Sequence, residues 1–140
     1  YGWREKIVRV NRIGSPWFEA DLAAVAGAGA DAVLFPRVES RRDVEAALTA
    51  LDRAGAAALP IMTMIETPFG VLRSEEIAGA SDRIACLVMG TADLTNHLHA
   101  RPHPERLPLL TSISLVILAA RAHVRSVVDG IQSNLKDMHT

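Results

Sequence analysis

The sequence predicts a parallel α/β fold, and three observations predict it. Short aliphatic, β-branched runs alternate about five times with stretches whose apolar residues recur at helical spacing. Cap and turn residues stand at the junctions between them. Two successive runs are followed by carboxylates, Glu66 and then Asp93, where the reactive rim of such a sheet lies.

Residues 7–10 are short, apolar and β-branched, the pattern of a strand. Gly14-Ser15-Pro16 is a turn, in which Ser15 is placed to cap a helix with Pro16 at its first position. Residues 17–28 carry Phe18, Leu22, Val25 and Ala26 at helical spacing and end at Gly27 and Gly29. Residues 32–35 form a second strand, stopped by Pro36. Ser40 caps a helix from residue 41 to about 54, with Val44, Ala47, Leu48 and Leu51 on one face and Gly55 closing it. The third strand, residues 60–65, runs into Glu66. Pro68-Phe69-Gly70 turns the chain into a helix that reaches Ile77 and Ala78. The fourth strand, residues 84–89, passes through Gly90-Thr91-Ala92 to Asp93-Leu94. Residues 95–108 are polar and predict a long loop. Residues 109–123 predict a helix, and 124–131 a fifth strand. The tail, 132–140, is polar and predicts no element.

The chain has 140 residues, is 49% hydrophobic and only 4% aromatic, and carries a net charge of −1. That length allows one domain at most, and the composition is too apolar for disorder. Near-neutral charge gives no general attraction to nucleic acid or to an acidic membrane. No run approaches the roughly 18 apolar residues of a membrane span. The opening residues, Tyr1 to Lys6, carry no signal-peptide pattern. The one cysteine, Cys86, sits in an apolar run as a small core hydrophobe, and the composition fits a reducing, cytoplasmic setting.

Five βα units fit either an open doubly wound sheet or an arc of a (β/α)8 barrel. No Gly-x-Gly-x-x-Gly follows a strand, which weakens a dinucleotide-binding reading. A closed barrel needs at least about 200 residues. A barrel reading therefore makes residues 1–140 a single incomplete domain, cut at both ends.

Adjacent strands lie about 4.8 Å apart, so Glu66 and Asp93 can converge on one hard cation. Spacing alone serves equally well for ordinary caps or salt-bridge partners. Arg9 lies between Val8 and Val10 and faces either the sheet's mouth or solvent. Glu39 reads as a helix-start residue and His123 as a partner of a helix C-terminus. His97, His99 and His103 fall in the expected loop without fixed ligand spacing, and a zinc site there is not favoured. Asp129 before Gly130 reads as a turn residue and a secondary site candidate.

Several segments together resemble the citrate lyase β-subunit-like family of the wider HpcH/HpaI aldolase group. They are Val8-Arg9-Val10-Asn11 followed by Pro16-Trp17, and Ala30 to Ser40, in which Pro36-Arg37-Val38-Glu39-Ser40 stands where relatives usually carry Lys at the second position. Ile65-Glu66-Thr67 and Gly90-Thr91-Ala92-Asp93-Leu94 resemble the family's two metal strands. His97 to Arg101, Arg106 to Leu110 and Asp129-Gly130 continue the likeness over nearly the whole chain.

The resemblance implies a partial (β/α)8 barrel, strands 3 to 7 of eight. It implies Mg²⁺ held by Glu66 and Asp93, with Arg9 as catalytic and substrate-clamping residue and Asp129 as a further substrate contact. The implied activity makes or breaks a carbon–carbon bond in a 3-hydroxy acyl thioester such as citryl-, malyl- or citramalyl-CoA. Aldol cleavage of a free hydroxy acid without CoA is an alternative, and so is a silent fragment that serves only as an assembly partner. Homo-oligomers, often trimers, are implied for the full-length protein.

Overall fold

The computed structural model describes residues 2–131. Five strands, β1 (Ile7–Arg9), β2 (Ala32–Phe35), β3 (Ile61–Ile65), β4 (Ile84–Met89) and β5 (Ser126–Val128), form one sheet in the order β1-β2-β3-β4-β5. Every neighbouring pair is parallel. The intervening helices are α1 (Phe18–Gly27), α2 (Arg41–Arg53), α3 (Pro68–Leu72), α4 (Ser74–Ala78), α5 (Thr91–His97) and α6 (Leu110–Ala122). A doubly wound sheet reverses its strand order at a switch point, whereas this sheet advances one strand at a time. The fold is therefore an arc of a (β/α)8 barrel, and of the two topologies open to the sequence the doubly wound one is excluded.

Strand alternation sorts the side chains by face. Val33, Phe35, Ile61, Ile65 and Leu87 are fully buried, in one core with Leu22 of α1, Val44 and Leu51 of α2, Ile77 of α4 and Val116 of α6. Burying each such side chain contributes roughly 1.5–3 kcal/mol. Phe18 meets Phe35 edge to face, with ring centroids 6.1 Å apart. On the opposite face Leu34, Met62, Met64 and Val88 stay half-buried. Val8 pairs with Val33, and Val10 is buried in the helix-side core. Both valines thus lie on the helix side of the sheet, and the residue between them, Arg9, takes the inner face.

Ser40 caps α2 as expected, its Oγ accepting from the Asp43 N–H at 3.3 Å. Ser15 does not cap α1, which starts after Trp17, and its buried Oγ has no partner among the described residues. Ala26 is exposed rather than inward. The expected single helix after β3 is two short ones that break at Arg73, where φ is −110° and ψ 15°. Thr67 caps the first of these through the Gly70 N–H at 3.1 Å. Part of the expected loop is helical, since α5 ends at His97. β5 is shorter than residues 124–131, because Val124 (φ 55°) and Arg125 still donate to the carbonyls of Arg121 and Ala120 and so close α6. Residues 132–140 lie outside the described residues. No helix among the described residues is long and apolar enough to cross a membrane.

Candidate metal centre

β3 positions Glu66. Met62, Met64 and Glu66 alternate onto the half-buried face, while Ile61, Thr63 and Ile65 are locked under the helices. Glu66 itself is only 4% exposed. Its Oε1 accepts the Arg37 backbone N–H at 2.9 Å, from the turn that follows β2.

Asp93 arrives from the other side. The Gly90 N–H donates to the Ile65 carbonyl at 2.9 Å, which holds the end of β4 against the end of β3. The chain then enters α5, anchored by fully buried Leu94, with Asp93 in the first turn. The close approach requires glycine at position 90: a Cβ there would lie 2.3 Å from Glu66 Cβ and 2.7 Å from its Oε2. At the next strand end a Cβ on Gly130 would lie 2.0 Å from Thr91 Oγ1, so β5 closes on the start of α5 equally tightly.

The two carboxyls meet. Burial first, and then the charge of Asp93, push the Glu66 pKa above its ordinary value. The Arg37 backbone N–H and charge oppose the shift. Two acids forced together with only partial compensation form the donor set that a divalent cation neutralises. Among the described residues, no group of three or more His, Cys, Asp or Glu could hold a metal ion. Two carboxylates can serve a hard ion that takes its remaining ligands from water and substrate oxygens. The same observation leaves His97, His99 and His103 without a shared metal position.

Arg9 pairs with Leu34, and Leu34 with Met62, so Arg9 shares the sheet face that carries Glu66. It is exposed, at the C-terminal end of its strand. Asp129 pairs with Arg106. Both its oxygens accept from Arg106, with Nη2 to Oδ1 at 2.7 Å, and Arg106 holds the Asp129 carboxyl below its ordinary pKa. His123 pairs with Glu75 at 2.7 Å, joining α6 to α4. Sequence reasoning missed the link between Arg37 and His97, whose Nη2 and Nε2 lie 3.0 Å apart. The signal was the Asp93-x-x-x-His97 spacing, which is visible only once α5 is recognised as a helix.

The family model for HpcH/HpaI aldolase/citrate lyase matches residues 2–140. The chain belongs to this family. It is 43% identical over 137 residues to a (3S)-malyl-CoA thioesterase of Cereibacter sphaeroides, covering 98% of this chain and 46% of that protein. It is 33% identical over 136 residues to the citrate lyase subunit beta of Haemophilus influenzae, covering 93% and 47%. A solved citrate lyase beta subunit from M. tuberculosis, complexed with oxaloacetate and magnesium, superposes with a TM-score of 0.78 at 26% identity, covering 94% of this chain and 56% of that one. The chain therefore spans about half the length of the relatives it matches.

Proposed function

We propose that this chain, as one incomplete barrel domain, carries the metal-binding half of a Mg²⁺-dependent site that cleaves or forms the carbon–carbon bond of a 3-hydroxy acyl-CoA thioester. The observation that carries the reading is the convergence of buried Glu66 with Asp93 at adjacent strand ends. The magnesium and oxaloacetate bound by the M. tuberculosis relative support both the ion and a 2-oxo acid product.

Glu66 and Asp93 would hold the ion. Bound there, Mg²⁺ supplies Lewis acidity toward the carbonyl and carboxylate oxygens of the 2-oxo acid fragment. Arg9 offers a planar fork to the substrate carboxylate from the same sheet face and fixes its orientation. The Arg37 N–H holds one Glu66 oxygen, so the carboxylate presents the other without rotating. Asp129 would contact the substrate from the end of β5, where its pairing with Arg106 fixes the carboxylate.

A second reading is thioester hydrolysis, favoured by the 43% identity to the malyl-CoA thioesterase. Product analysis separates the two. With malyl-CoA and Mg²⁺, the full-length protein that carries this half-barrel is expected to release acetyl-CoA and glyoxylate. Malate with free CoA thiol would assign hydrolysis instead, and the absence of both product pairs would sink the CoA thioester reading. Arg9→Lys keeps the charge but loses the fork, and is expected to lower kcat/KM at least about ten-fold. An unchanged kcat/KM would remove Arg9 from the site.

A further inference from the structure

Arg37 is a non-glycine residue in left-handed backbone conformation, with φ at 54°. Such a conformation persists only where its surroundings hold it, and it concentrates at functional sites. Here it lets one residue face two ways. Its backbone N–H donates to Glu66 Oε1 at 2.9 Å, while its guanidinium Nη2 lies 3.0 Å from His97 Nε2. A guanidinium has no acceptor, so the imidazole accepts through Nε2 and carries its proton on Nδ1. His97 stands four residues, about one helical turn, after Asp93 on α5. That helix has seven residues and one buried anchor, Leu94, so it needs a second tie to fix its position.

We infer that Arg37 and His97 form a positioning clasp that sets the spacing between Glu66 and Asp93. The inference rests on the two-carboxylate reading above. The backbone of Arg37 grips one carboxylate, and its side chain grips the helix bearing the other. Lys at position 37, usual in the resembling family, offers a point charge instead of a fork and makes a poorer tie to an imidazole.

Mn²⁺ serves as a spectroscopic probe of the site, with its free concentration followed by electron paramagnetic resonance on the purified full-length protein. His97→Leu is expected to weaken Mn²⁺ binding by about ten-fold, the lower end of the range for residues that orient metal ligands. His97→Gln, whose side-chain carbonyl can accept from Arg37, should stay within about three-fold of the wild type. Arg37→Gln keeps the backbone N–H to Glu66 and should match His97→Leu. The double variant Arg37→Gln/His97→Leu should bind no more weakly than the weaker single variant, because both remove one contact. Circular dichroism checks that each variant is folded. Wild-type affinity in folded His97→Leu, or additive losses in the double variant, would overturn the clasp and leave the two-carboxylate site standing. A wild type that binds no Mn²⁺ would overturn both.

Discussion

In the full-length protein, Glu66→Gln and Asp93→Asn are each expected to lower Mg²⁺-dependent kcat/KM by at least about 1,000-fold, equivalent to about 4 kcal/mol of transition-state stabilisation. Each amide matches its carboxylate in shape but gives the ion no charge. In Glu66→Gln the side-chain carbonyl can still accept the Arg37 N–H, so the local fold has no reason to fail. Burying an ionised group beside a like charge is costly, and the neutral amide removes that cost. Glu66→Gln should therefore melt, in metal-free buffer, at or above the wild-type temperature. A dead enzyme with an intact or raised Tm identifies a ligand, whereas lost activity with a collapsed Tm identifies a structural residue. Retention of a tenth or more of the activity in either variant would sink the metal assignment.

The parts of the fold legible in the sequence were those written in local chemistry. β2 and β4 begin and end where the sequence predicts, because each is a compact aliphatic run closed by Pro36 or Gly90. The cap at Ser40 was legible for the same reason. α5 was not, since seven residues with a single buried apolar side chain carry no periodicity. Nor was the role of Ser15: the motif for a cap is present, but the chain takes another turn before the helix starts.

The site divides along the same line. Glu66 and Asp93 were legible because strand ends can be counted, and their meeting follows from the parallel pairing of β3 with β4. The face of Arg9 required the register, since Val-Arg-Val reads equally well either way up. The ion pair of Asp129 with Arg106 joins residues on either side of α6 and leaves no local trace. The backbone turn at Arg37 was hidden because an arginine does not announce a positive φ as glycine or asparagine would.

The 140-residue chain expressed alone is expected to self-associate or precipitate, without measurable lyase activity. In the sheet as described, β1 and β5 are edge strands, each hydrogen-bonded to one neighbour only. Edges of that kind template pairing with another chain. The face carrying Leu34, Met62, Met64 and Val88 is half-buried, and Val128 on β5 is 51% exposed. On the helix side Leu72 and Leu118 are 74% and 67% exposed, on α3 and α6, which touch each other. Contiguous apolar surface associates because water gains by its removal, at roughly 25 cal/mol per Å². Arg9 is exposed on the sheet face that carries Glu66, so substrate held by its guanidinium would stay in contact with water. Sedimentation velocity, with malyl-CoA and citramalyl-CoA cleavage assays on the same sample, tests both halves of the expectation. A monodisperse, active monomer would mean that five strands suffice to close the site, and the incomplete-domain reading would fall with it.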